Sequence, residues 1–239
     1  IRDRTYTAPS ASTNCPGFTI AQTAGLASGA TFPVGATLNT YEVTNPGGQT
    51  ASCSFTVTVV DAEEPTIACP ADIVQNNDSG SCDAVVTFTA PTGTDNCPGA
   101  NTVLGAGGLA SGSAFPVGAT TNTYTVTDAA GNEASCSFTV TINDTENPAI
   151  SCPGNIAVNN DSGQCSAVVN FTAPVGTDNC AGATTAQTAG LTSGSAFPIG
   201  ETTNTFVVTD ASGNTANCDF TVTAVSYTHL TLPTKWWGG

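Results

Sequence analysis

Residues 111–141 read SGSAFPVGATTNTYTVTDAAGNEASCSFTVT, and residues 193–223 read SGSAFPIGETTNTFVVTDASGNTANCDFTVT. Inside the first copy, Tyr124 and Val126 fall on one face of an extended stretch. The segment Asp128–Asn132 (DAAGN) supplies a turn, with Gly131 and Asn132 suited to positive φ. Cys136, Phe138, Val140 and Ile142 then share one face of a returning strand, and Ser137, Thr139 and Thr141 share the other. An apolar period of two on both sides of a turn predicts a hairpin with one buried face. Helical periodicity is absent, so the fold class is all-β.

Working outward, the repetition extends on both sides. TAPTGTDNCPGA (89–100) returns as TAPVGTDNCAGA (172–183), with a weaker early copy, TAPSASTNCPGF, at 7–18. Cys69, Cys82 and Cys97 recur 83 positions later at Cys152, Cys165 and Cys180, and Cys136 recurs 82 positions later at Cys218. Cys15 and Cys53 stand at the Cys97 and Cys136 positions of an earlier copy. The expected organisation is a truncated unit over 1–61, complete units over 62–143 and 144–224, and a distinct tail over 225–239. Val86 and Phe88 predict a further strand, and Ile73 with Val74 a short first one. Roughly seven short strands per unit of about 83 residues predict tandem Ig-like antiparallel β-sandwiches, arranged as beads on a string.

The charge balance narrows function. The chain has 239 residues, 18 acidic and 3 basic side chains, one His and a formal net charge of −15. So few Lys and Arg cannot neutralise a row of phosphates or dock on anionic lipid, so neither nucleic acid nor a membrane surface is an expected partner. No apolar run of about 18 residues is present, so no membrane insertion is expected. No signal peptide is visible at Ile1, and the chain is expected to be a fragment of a longer protein. The tail breaks the repeat abruptly. The codons GTC TCT TAT ACA CAT CTG ACG CTG CCG ACG encode Val225 through Thr234 and resemble a sequencing-library adapter, so residues 225–239 are expected to be translated read-through rather than a domain. Without that tail the chain has no His, Lys or Trp, and its basic residues are Arg2 and Arg4. Neither a Ser-His-Asp nor a Cys-His arrangement can be assembled, and the expectation is a protein that is not an enzyme and requires no cofactor.

Four cysteines per complete unit, an even number, predict disulfides and an oxidising, extracellular compartment. Four cysteines allow three pairings, and the residues alone leave all three open. A resemblance bears on this. Cys69-Pro70-Ala71-Asp72-Ile73, Val86-Thr87-Phe88, Pro91, Asp95-Asn96, Phe115-Pro116-Val117-Gly118, Tyr124 through Asp128, Gly131-Asn132 and Cys136 through Val140 together resemble the HYR (hyalin repeat) domain. The third unit matches through Cys152-Pro153, Phe197 through Gly200, Thr209-Asp210, Gly213-Asn214 and Cys218-Asp219-Phe220, and the first through Phe32 through Gly35 and Cys53-Ser54-Phe55. In the first unit Asn45-Pro46-Gly47-Gly48 replaces the Asp-x-x-Gly-Asn turn. The resemblance implies extracellular Ig-like modules associated with adhesion, alone or in tandem. It also implies the pairs Cys69–Cys136 and Cys152–Cys218, leaving Cys82 with Cys97 and Cys165 with Cys180. Cys15 and Cys53 either lack partners or pair with each other, and in the latter case Cys97–Cys136 becomes the better parallel.

The acids are the one suggestive constellation. Asp61, Glu63 and Glu64 precede Pro65; Asp144 and Glu146 precede Pro148; Asp-Asn pairs stand at 95–96 and 178–179; and the turns run from Asp128 to Asn132 and from Asp210 to Asn214. Carboxylate, amide and carbonyl oxygens are hard ligands that suit Ca²⁺. Calcium candidates are therefore Asp61, Glu63, Asp128, Asn132, Asp144, Glu146, Asp210 and Asn214, with an ion at a junction joining carboxylates from two units. Against this stands the ordinary preference of Asp and Asn for turns. The expected function is a non-catalytic extracellular repeat segment, acting in adhesion or as a spacer of a larger secreted or surface protein. Expected partners are other domains of that protein, or extracellular protein or glycan. A ligand-binding module and an accessory domain of a secreted hydrolase are the alternatives.

Overall fold

The Thr- and Val-rich hairpin that repeats along the chain forms the spine of each repeat in the computed structural model, which describes residues 4–12 and 16–226. In the first repeat, β1 (Thr19–Ala24), β2 (Gly35–Thr44) and β3 (Thr50–Val59) form an antiparallel sheet in that order. Tyr6 packs edge-on against Phe55 with ring centroids 4.9 Å apart, and its hydroxyl donates to the carbonyl of Leu26 at 2.7 Å.

The second repeat contains β4 (Ile73–Asn76), β5 (Asp83–Val85), β6 (Asn101–Leu104), β7 (Ala114–Pro116), β8 (Gly118–Thr127) and β9 (Glu133–Asn143). Its sheets are β4-β9-β8-β6 and β5-β7. The third repeat has the same plan: β10 (Ile156–Asn159), β11 (Ser166–Val168), β12 (Thr184–Ala189), β13 (Ala196–Pro198), β14 (Gly200–Thr209) and β15 (Thr215–Val225), in sheets β10-β15-β14-β12 and β11-β13. By contact density the chain divides into two compact units. One gathers the first repeat with 92–103 and 125–135; the other gathers the rest of the second repeat with the third.

In the third repeat the core shows why the sequence takes this form. β15 has the burial alternation of a strand with one buried face, and it brings Phe220, Val222 and Ala224 together with Phe206 of β14. Ala167 of β11 and Phe197 of β13 cover them from the smaller sheet, with Val169 beside them. Phe171 meets Phe220 edge-on at 4.9 Å. Each phenyl ring buried in this way contributes roughly 1.5–3 kcal/mol. The same positions of the second repeat, Phe115, Tyr124, Phe138, Val140 and Ile142, are likewise buried.

The all-β tandem sandwich expected from the sequence is present, with four differences of detail. There are six strands per complete repeat, not seven. The sheets are mixed, because β4 pairs with β9, and β10 with β15, in parallel. These partners stand at the two ends of the same repeat, so no hairpin forces them antiparallel. Val86 is buried beyond the end of β5, and Phe88 follows outside any strand, where its amide donates to Ser111 Oγ at 2.8 Å. In the DAAGN turn Gly131 alone takes positive φ, at 94°, and among the described residues none but glycine does so. Strand β15 ends at Val225, one residue into the segment read as translated read-through, and residues 227–239 of that segment lie outside the described residues.

Candidate functional site at the repeat junctions

Cysteine pairing fixes the site. Cys69 bonds Cys136, with Cα atoms 5.6 Å apart, and Cys152 bonds Cys218 at 5.5 Å, so each of these disulfides lies within one repeat. Cys82 bonds Cys180, with Cα atoms 4.9 Å apart and a sequence separation of 98. The expected pairs Cys82–Cys97 and Cys165–Cys180 are therefore corrected: the Cys82 position of one repeat joins the Cys97 position of the next. The cause lies in the loops around them. The Cys82 loop is held to the third repeat, where Asn179 donates to the carbonyl of Ser81 at 2.8 Å and the Gly80 amide donates to the Glu146 carboxylate at 2.9 Å. Asn96, beside Cys97, instead donates to Glu63 in the preceding linker. The two cysteines of one repeat thus serve different junctions. Cys97 and Cys165 are free thiols, and Cys165 is exposed. Cys15 lies outside the described residues, and Cys53 is an exposed thiol.

The Asp-x-x-Gly-Asn turns act as staples. Asp128 Oδ1 accepts from the amides of Ala130 at 2.9 Å and Asn132 at 2.8 Å, and Oδ2 accepts from Asn132 Nδ2 at 2.7 Å. Asn132 Nδ2 also donates to the carbonyl of Asp61 at 3.4 Å. The turn at Asp210 repeats this pattern, with Asn214 Nδ2 donating to Asp210 Oδ2 at 2.8 Å and to the Asp144 carbonyl at 3.3 Å. Burial, at 6% exposure for each, pushes the Asp128 and Asp210 carboxyls up. The hydrogen bonds from Asn132 or Asn214 and from neighbouring amides outweigh it, holding both below the usual carboxylate value. Of the calcium candidates, Asp128 and Asp210 therefore use their side chains to close their own turns, and Asn132 and Asn214 use theirs to tie turn to linker. Glu63 accepts from Asn96, and Glu146 from Ser79 Oγ and the Gly80 amide.

Asp61 and Asp144 are placed differently. Potential ligand atoms of Asp61, Asp95 and Cys97 lie within 4.8 Å of one another, and so do those of Asp144, Asp178 and Cys180. Asp95 and Asp178 each receive the amide two residues on, Cys97 at 2.7 Å and Cys180 at 2.8 Å, which is an Asx turn. At the first junction the Cys97 thiol is hydrogen-bonded to Asp61. That bond, burial, and the charges of Asp61 and Asp95 hold the thiol above its ordinary pKa. At the second junction the sulfur is consumed by the bond to Cys82. Both carboxylates of each cluster come from one repeat and its linker, rather than from two repeats. Asp95 and Asp178 are not among the calcium candidates read from the sequence; the recurrence of Asp-Asn-Cys at 95–97 and 178–180 is the signal that could have marked them. An open cleft lined by Glu146, Asn147, Ala149, Thr177, Asp178 and Asn179 leads to the second cluster.

The described residues include no His and no Lys. Among those residues, too, no helix is long and apolar enough to cross a membrane.

A model of the HYR domain matches residues 3–59, 60–142 and 143–224. Hyalin of Strongylocentrotus purpuratus is 40% identical over 209 residues, which is 85% of this chain and 17% of that protein. Hyalin of Lytechinus variegatus is 34% identical over 227 residues, covering 92% of this chain and 42% of that protein. The rat sushi, von Willebrand factor type A, EGF and pentraxin domain-containing protein 1 is 36% identical over 72% of this chain and 5% of its own length. The chain thus spans less than half the length of each of these relatives. Among solved structures, mouse cadherin-23 EC22-24 overlaps at a TM-score of 0.38 and 14% identity, over 95% of this chain and 93% of that one, too loosely to bear on function.

Proposed function

We propose, from the premise that this chain belongs to the HYR domain family, that it is a non-catalytic segment of a larger extracellular protein, serving adhesion or spacing by presenting HYR repeats in a locked succession. The observation that carries this reading is the Cys82–Cys180 disulfide, which ties consecutive repeats to each other instead of closing one of them. Such a bond requires an oxidising compartment to form and persist. The junction adds hydrogen bonds from Gly80, Ser79 and Asn179, so the repeats are fastened at several points. The aromatic side chains Phe115, Tyr124, Phe138, Phe197, Phe206 and Phe220 are buried, which leaves them unavailable for stacking on a sugar. The test is to screen the oxidised chain on a glycan array and for hydrolysis of polysaccharides, and in parallel to coat beads with it. No glycan signal and no hydrolysis, with coated beads that either bridge one another or stay inert, fit the adhesive or spacing role. Saturable binding to a defined glycan would replace it with a ligand-binding module.

A further inference from the structure

We propose that Asp144 and Asp178 form a calcium site at the junction of the second and third repeats. Asp144 is only 8% exposed. Its Oδ1 accepts from the Glu146 amide at 3.2 Å, while its Oδ2 is buried and has no hydrogen-bond partner. Asp178 mirrors it: Oδ2 accepts from the Cys180 amide at 2.8 Å, and Oδ1 is buried without a partner. The ligand atoms of this cluster lie within 4.8 Å of one another. A buried and a half-buried carboxylate this close, each with one buried oxygen unanswered, are costly unless something positive lies between them.

Among the described residues the chain offers this cluster no cation of its own: Arg4 is their one Lys, Arg or His. It offers no proton from sulfur either. At the first junction the Cys97 thiol is hydrogen-bonded to Asp61, whereas Cys180 has surrendered its hydrogen to the bond with Cys82. The same oxidation that joins the repeats therefore leaves Asp144 without a donor. Carboxylate oxygens are hard ligands, and a disulfide sulfur is not a thiolate, which disfavours zinc. A cleft lined by Glu146, Thr177 and Asp178 opens beside the cluster and offers an ion a way in. Calcium tolerates an irregular arrangement of oxygens, whereas magnesium demands a near-ideal octahedron, and a calcium site with few protein carboxylates binds on the order of 10⁻⁴–10⁻³ M. The site is independent of whether the segment adheres or spaces.

The test titrates the full oxidised chain with CaCl₂ by calorimetry and follows its melting temperature. Expected are saturable heat and a rise in melting temperature in the wild type, both lost in Asp178→Asn. In calcium-free buffer Asp178→Asn should melt at or above the wild type, because it removes the facing charge and supplies an amide donor. Asp144→Asn, made separately, should lose the same calcium increment. No heat and no shift at millimolar calcium overturn the proposal, as does an increment that survives in both variants. Carbon-13 spectra showing Asp144 or Asp178 still protonated at pH 7 in calcium would put a shared proton where the ion is placed, and would overturn it equally.

Discussion

The side chain of Asn214 donates to the backbone carbonyl of Asp144 at 3.3 Å, across a sequence separation of 70. The turn joining β14 to β15 is thereby fastened to the linker that begins the same repeat. Replacing Asn214 with Ala removes this bond and the one to Asp210. Each net hydrogen bond lost should cost about 1 kcal/mol, and more where a buried acceptor is left unpaired. Thermal melts should show a lower midpoint for Asn214→Ala, while Asn45→Ala, which alters the differently built turn of the first repeat, should leave the third repeat unchanged by hydrogen exchange.

Acid should loosen these turns over a defined range. The folded carboxyls of Asp128 and Asp210 sit below their ordinary value of 3.8, so the unfolded chain binds more protons than the folded one between the two values. Their contribution is fully present above 3.8 and is lost as pH falls through the folded values. Denaturant melts should therefore show no contribution to a pH slope from these two residues between pH 5 and 7. Asp128→Asn and Asp210→Asn should flatten the fall below about pH 4.

A Cβ added at Gly176 would lie 2.5 Å from Val208 Cβ, and Val208 is fully buried. Gly176→Ala must displace a packed side chain and should cost about 1–3 kcal/mol. Gly93→Ala meets Val126 at the same 2.5 Å and should behave alike. Urea titration measures both, and Gly154→Ala, which meets nothing within 4 Å, is the control.

Peptide mapping without reduction should recover Cys82 joined to Cys180, with no peptide joining Cys82 to Cys97. A crosslink spanning 98 positions lowers the entropy of the unfolded chain by an amount worth about 4.7 kcal/mol on a loop-closure model, less any native strain. Cys82→Ser should lower stability by a large part of that figure, as measured by urea titration under oxidising conditions.

How far the fold could be read depends on the range of the interaction concerned. The face shared by Phe138, Val140 and Ile142 was legible because strand parity is local and the turn at 128–132 stands beside it. Asn122 and Asn204 were not singled out, yet both are completely buried. Their burial follows from a loop thirteen residues earlier, where Asn204 Oδ1 accepts the Leu191 amide at 2.9 Å and Asn122 Oδ1 the Leu109 amide at 2.7 Å. Nothing in the pattern TTNT announces a distant unpaired amide. Cys82 was legible as a disulfide cysteine, but not its partner, since pairing depends on which loops meet across a junction. The acids of the linkers drew notice by their density. Which of them keep oxygens unspent became visible only once the turn and linker hydrogen bonds were in place.

The disulfides together decide how a pulled chain carries tension. A load entering before Cys69 and leaving after Cys218 crosses at sulfur twice, through Cys69–Cys136 and Cys152–Cys218, and on that route stretches only the backbone from Cys136 to Cys152. The Cys82–Cys180 bond adds a second covalent route in parallel. Reducing it alone therefore frees little chain, and the segment lengthens under force only when the bonds within the repeats are opened as well.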